Sequence, residues 1–225
     1  MKKSTVIALA FALFSGSALF ASTLTLDWAP NHSPTGGEFI LTPSGSDPFR
    51  SFCIERSEHV ALGGTYNYIE NYQAVGGGLG GPHPDPISIG TAYLYSQFRA
   101  GTLLGAINAA YDTSNTADQT DLQNAIWWLE QEIGSTDING NPEDPYDPST
   151  NQYLLTAKTA LGAASFADLQ ADANGAYGVG VYNLYNLDGS LAQDQLALVP
   201  DGGSTLVLLG LAFTGFALIP KRRKQ

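Results

Sequence analysis

The sequence predicts an α+β domain, a β-sandwich or barrel-like sheet with a helical insertion, lying between an N-terminal signal and a C-terminal transmembrane helix. Three observations predict it. Strand-like alternation of apolar and polar residues runs from Thr23 to Val75 and returns after Val179. Helical spacing occupies the middle of the chain, and both ends are apolar runs flanked by lysine and arginine. The organisation that follows is 1–21 signal peptide, 22–198 extracytoplasmic body and 199–225 C-terminal segment.

The elements follow in order. Lys2 and Lys3 precede the apolar run Val6 to Phe14, and small residues follow, the order of a secretory signal. Cleavage falls after Ala21 or after Ala18. Leu24, Leu26 and Trp28 alternate with Thr23, Thr25 and Asp27, the pattern of a half-buried strand. Glu38 to Leu41 and Phe49 to Ile54 read as two more strands. In the latter, Phe52 and Ile54 share a face expected to enter the sheet's core, leaving Cys53 to face the helical insertion. Thr65 to Val75 is β-prone, with Tyr66, Tyr68 and Tyr72 on one side. Ser88 caps a helix to Ala100 stopped by Gly101, and a second helix spans Ala117 to Ile133 with Gly134 after it. Ser135 to Thr150 is an acidic, proline-containing loop, Tyr153 to Ala164 a third helix, and Val179 to Leu187 and Leu196 to Val199 are strands.

Thr205 to Ile219 is an uncharged run whose fifteen residues make a helix of about 22 Å, short of a hydrocarbon core of ~30 Å. Lys221, Arg222, Arg223 and Lys224 follow it, and basic side chains stay cytoplasmic and extend the effective span by snorkelling. The body between the two ends holds four basic residues, Arg50, Arg56, Arg99 and Lys158, against twenty acidic ones, a net charge of −16. Nucleic acid binding needs cations against phosphate, so that class is excluded. Strong negative charge suits solubility, loose cation binding or a polysaccharide matrix. The single cysteine, Cys53, admits no intramolecular disulfide, so the thiol is either buried and inert or chemically committed.

No metal-ligand spacing, cofactor motif or catalytic triad is legible. His32, His59 and His83 are isolated. Asp137, Asn139, Asn141, Glu143 and Asp144 alternate like calcium ligands, but Pro142 and Pro148 stand where an EF-hand requires Gly and Glu. Glu130 and Glu132 point apart on a helix and make a poor carboxylate pair.

The C-terminal residues Val199, Pro200, Asp201, Gly202, Gly203 and Ser204, then the apolar run and the basic end, resemble the Val-Pro-Asp variant of the PEP-CTERM sorting signals. Asp201-Gly202 stands where the commonest form of that class has Glu-Pro. The resemblance implies an exosortase as partner. The segment is held in the membrane before processing, and the body is delivered afterwards to the cell surface or extracellular matrix. Phe52-Cys53-Ile54 with Gln123-Asn124-Ala125-Ile126-Trp127 resembles the bacterial surface thioester domain, with Leu122 where that family usually has Thr. The resemblance implies a covalent bond between the Cys53 and Gln123 side chains. The chemistry itself requires a thiol and an amide held at attack distance in a water-poor pocket. Gln123, Trp127 and Glu130 lie on one helical stripe, so Trp127 can shield the bond from water. Surface amines, hydroxyls or extracellular polysaccharide would be the targets. The alternative is a structural matrix or carbohydrate-associated module with no chemistry of its own, and a secreted hydrolase ranks last. Either of the first two is a non-enzyme used in adhesion.

Overall fold

The computed structural model describes residues 22–34, 36–75, 85–104, 109–134 and 146–199. The signal peptide, the C-terminal helix with its basic end, the Asp137–Asp144 segment and His83 lie outside the described residues. Among the described residues no helix is long and apolar enough to cross a membrane.

Among the described residues, eight strands and three α-helices follow the order strands, helices, strands. They are β1 (Ser22–Trp28), β2 (Phe39–Pro43), β3 (Phe49–Ser51), β4 (Gly64–Asn71), β5 (Gln73–Ala74), β6 (Asp85–Pro86), α1 (Ile89–Ala100), α2 (Thr116–Leu129), α3 (Gln152–Leu161), β7 (Val179–Tyr185) and β8 (Leu191–Leu198). Six strands form one antiparallel sheet in the order β3-β2-β1-β4-β7-β8, and β5 pairs with β6 apart from it. The sheet is a curled half-barrel rather than a two-sheet sandwich. Its two outer strands are tied together where the chain leaves β3. Leu196 N–H donates to Phe52 O at 3.0 Å, Ile54 N–H to Asp194 O at 3.2 Å, and Ser51 Oγ to Leu196 O at 2.6 Å.

Two buried clusters share the interior. Leu24, Leu26, Phe39, Leu41, Tyr66 and Leu184 fill one face of the sheet. Val179, Val181 and Leu196 on the other face pack with Ala92, Leu94 and Tyr95 of α1, Leu122, Ile126 and Leu129 of α2, and Tyr153 and Leu154 of α3. Alternation across a strand decides which cluster each neighbour enters. It places Phe52 and Ile54 in the helical cluster, with Phe52 edge-on to Phe98 of α1 at 5.1 Å, and Cys53 in the other. The expected assignment therefore fails for Phe52 and Ile54, which pack against the helices, whereas Cys53, on the sheet's own cluster, still meets α2 at Gln123. The segment pairs with β8, whose Leu196 already looks toward the helices, and the register carries Phe52 and Ile54 to that side.

The helices start where polar caps satisfy free N–H groups. Ser88 Oγ accepts from Thr91 N, Asn115 Oδ1 from Ala117 N, and Asn151 Oδ1 from Tyr153 N and Leu154 N. Gly101 and Gly162 end α1 and α3 in the left-handed region at φ of 68° and 64°. The third helix thus stops short of Ala164. The second stops short of Gly134, at Leu129, because Glu132 N–H donates to Trp127 O at 2.7 Å and Gln131 N–H to Trp128 O at 3.1 Å. That is a Schellman ending with Gln131, not a glycine, at φ 63°. Likewise β4 ends at Asn71, whose side chain accepts from Tyr72 N–H at 2.8 Å, so Tyr72 leaves the face of Tyr66 and Tyr68 and is exposed.

A side chain in the left-handed region costs about 1 kcal/mol relative to glycine. Gln131→Gly is therefore expected to stabilise the domain by about that amount. Urea unfolding of the two proteins checks it, and an unchanged or lower midpoint would contradict the assignment of strain to Gln131.

Candidate functional site

Cys53 is held by β8 and Gln123 by the middle of α2, and both side chains are about 1 % exposed. The Cys53 thiol donates to Gln123 Oε1 at 3.4 Å, and Gln123 Nε2 donates to the Cys53 carbonyl at 2.8 Å. One residue thus engages both ends of one amide, which fixes its rotation and holds the thiol against its carbonyl side. The strand and helix positions, seventy residues apart in sequence, meet because α2 reaches both clusters: Leu122, Ile126 and Leu129 enter one, and Trp127 the other.

Cys53, the sulfur side of the pair, lines a cavity of about 450 Å³ together with Trp127, Trp28, Phe39, Arg56 and His59, among others. Trp28 stacks on Phe39 at 4.6 Å and on His32 at 4.3 Å. Trp127 is only 7 % exposed. Gly36, at φ 93°, lets the backbone lie directly against the Trp127 ring: an added Cβ would meet Cη2 at 2.8 Å and Gln123 Cγ at 3.4 Å. The Arg56 guanidinium lies over the same ring, 5.9 Å from its centroid. Glu130, the third member of the predicted stripe, does not join the site. Its Oε1 accepts from Ser88 Oγ at 2.8 Å and Ser88 N at 3.2 Å, so it ties the end of α2 to the start of α1. Glu132 does reach the edge of the site, where its carboxylate accepts from Arg56 N–H at 3.0 Å. Among the described residues no cluster of His, Cys, Asp or Glu could hold a metal ion.

Burial pushes the Cys53 thiol far up, and the nearby Glu55 carboxyl adds to this once it has lost its own proton. The thiolate is thus strongly disfavoured, and a neutral derivative of the sulfur escapes that penalty. Buried acids surround the site in a way composition does not reveal. Asp194 accepts from Val75 N, Asn183 Nδ2 and Leu184 N, whereas Glu55 Oε1 has no partner. Glu55 therefore keeps its proton, raised by burial and then by the Asp194 charge. Burial also lifts Glu58 to about 7, with help from Asp194 and Glu132. Gly36, Arg56, His59, Glu55 and Asp194 are the site residues that sequence reasoning did not select. The Gly36-Gly37 doublet and the rarity of basic residues were the available signals.

The described chain ends at Val199, the first residue of the sorting motif. Its side chain is buried and its N–H donates to Gly178 O at 2.8 Å. The motif therefore begins flush with the folded body. Residues 199–224 match the family described as the VPDSG-CTERM motif. This sorting signal supports an exported, surface-directed protein that an exosortase processes. No curated protein and no solved structure matches the chain.

Burial raises the Glu130 carboxyl to about 7 from an ordinary value of 4.5. The native state then binds a proton that the unfolded chain has released between those two values. Stability from this group is complete below about pH 4.5 and is lost as pH rises to about 7. Glu130→Gln is expected to flatten that part of the fall, leaving the shares due to Glu58 and Glu55. Urea melts across this pH range check it, and identical slopes in the two proteins would contradict it.

Proposed function

We propose that the exported body attaches covalently to its targets through a thioester between Cys53 and Gln123. The observation that carries this reading is the 3.4 Å approach of Cys53 Sγ to Gln123 Oε1, buried beside a cavity. In the forming step sulfur attacks the Gln123 side-chain carbonyl carbon and the carbon–nitrogen bond breaks. The thiol proton leaves with the amide nitrogen as ammonia. An amide is a poor electrophile, and fixed contact in a dry site is what compensates. The thioester carries no charge, so the burial that penalises the thiolate does not penalise it. A target amine then attacks the same carbonyl carbon, giving an amide to Gln123 and a free Cys53 thiol; a hydroxyl gives an ester. Each molecule reacts once, so this is attachment and not turnover.

The strongly negative body favours cationic amines over anionic targets at encounter. Before processing, the apolar run after Ser204 holds the chain in the membrane. Exosortase action at Val199 to Ser204 then passes the body to the surface or matrix, where polysaccharide hydroxyls and protein amines are at hand. Because Val199 is docked on the body, cleavage beyond it leaves the fold intact.

The secreted body is expected to be lighter than its processed sequence by one ammonia. Methylamine should add at Gln123 and free the Cys53 thiol, and Cys53→Ala should abolish both changes while the domain stays folded. Intact-mass and peptide mass spectrometry read all three. A full mass with a titratable thiol would leave the structural matrix reading. Separately, deletion of residues 205–225 should release the body into the medium without surface attachment; unchanged attachment in a fractionation assay would argue against sorting by this tail.

A further inference from the structure

The Trp127 indole nitrogen is buried and has no hydrogen-bond partner. An indole N–H is a donor only, and leaving one unsatisfied in an interior is costly, so such groups call for an explanation. The ring is also held in place. Gly36 presses on its Cη2 edge, and the Arg56 guanidinium covers a face. Trp127 shares both the cavity and the packed cluster with Cys53, and where burial and then a charged Glu55 oppose ionisation of that sulfur, Trp127 is the neighbouring side chain that favours it.

We propose that the Trp127 indole N–H is the donor that receives the negative charge on Cys53 Sγ when the thioester is opened. This rests on the thioester reading and extends it: Trp127 takes part in acyl transfer and does not merely cover the bond. The amine nitrogen bonds to the Gln123 carbonyl carbon, the carbon–sulfur bond breaks, and its electron pair goes to sulfur. The proton lost by the amine ends on that sulfur as the thiol. Neutral sulfur is a weak acceptor and thiolate a strong one. The N–H is therefore unsatisfied before the reaction and satisfied as charge develops. An interaction gained only in that direction accelerates the step.

The test replaces Trp127 by β-(3-benzothienyl)alanine, which keeps the ring's shape and lacks the N–H, with Trp127→Phe as a second variant should the first fold poorly. Circular dichroism confirms the fold. Methylamine capture, followed by mass, is expected to slow by about ten- to hundredfold, the worth of one hydrogen bond to a charged group. A merely shielding ring predicts instead unchanged capture and faster hydrolysis. A second arm uses Gln123→Ala, in which no thioester can form. There, iodoacetamide alkylation of Cys53 at fixed pH should slow on the same replacement, since the thiolate is the reactive species. Equal capture rates in a wild type that is lighter by ammonia overturn the donor role alone. A wild type of full mass overturns the thioester reading, and the acyl-transfer role with it. Equal alkylation rates also overturn the donor role.

Discussion

The pairing of Phe52–Ile54 with β8 is the constraint on which the rest of the structure depends. Without it the curled sheet has two open edges, and unpaired strand edges expose rows of backbone donors and acceptors. With it, β3 and β8 are joined through Phe52 O and Ile54 N–H, and three consecutive side chains acquire fixed directions. Phe52 and Ile54 lock the helices to the sheet, and Cys53 alone is turned into the cluster that Trp127 enters. The position of the thiol is therefore a consequence of sheet closure, and its meeting with Gln123 needs only that α2 lie across both clusters.

The same pairing accounts for the polarity of β8. Gln193, Asp194 and Gln195 are all buried, on a strand that must satisfy neighbours on both sides. Gln193 Nε2 donates to the carbonyls of Glu55 and Glu58 at 2.7 and 2.8 Å, and Asp194 N–H donates to Glu55 Oε2 at 3.0 Å. The chain after Cys53 has left regular strand structure, so its backbone carbonyls lack ladder partners, and side chains from β8 supply them. Burying acids here costs desolvation, which Asp194 offsets with three donors and Glu55 avoids by staying protonated.

This explains what was legible in the sequence. Elements whose signal is local were readable: Ser88 and Gly101 bound α1, and Leu24 and Leu26 mark the buried face of β1. Elements whose signal is tertiary were not. β8 begins at Leu191, five residues before the apolar run at Leu196, because its polar residues are buried by partners distant in sequence. The end of α2 was misplaced because Gln131 adopts a conformation that favours glycine, while Glu130 and Glu132 on either side are held by Ser88 and Arg56. Of the candidate site, Cys53, Gln123 and Trp127 could be named from motifs, but the face Cys53 occupies could not. Alternation gives relative faces only, and which face meets the helices is decided by pairing with β8.

The proposed stored electrophile accounts for more of the surroundings of Cys53 than an inert thiol does. A structural buried cysteine needs only apolar neighbours, and this cysteine has them in Leu24, Leu26 and Tyr66. It does not need an amide gripped at both ends, nor a cavity of about 450 Å³ opening beside it, nor a glycine that admits a tryptophan ring against that amide. Each feature is costly for stability alone: a buried glutamine must be fully paired, a cavity forfeits packing, and Gly36 at φ 93° adds freedom to the unfolded chain. The first two become intelligible together if the amide carbonyl is a reaction centre and the cavity is the approach of its partner. The sorting motif, beginning one residue after β8, fits the same economy. The strand that orients the thiol also ends at the point from which the chain is sorted, so a body presented by this tail carries its site already folded.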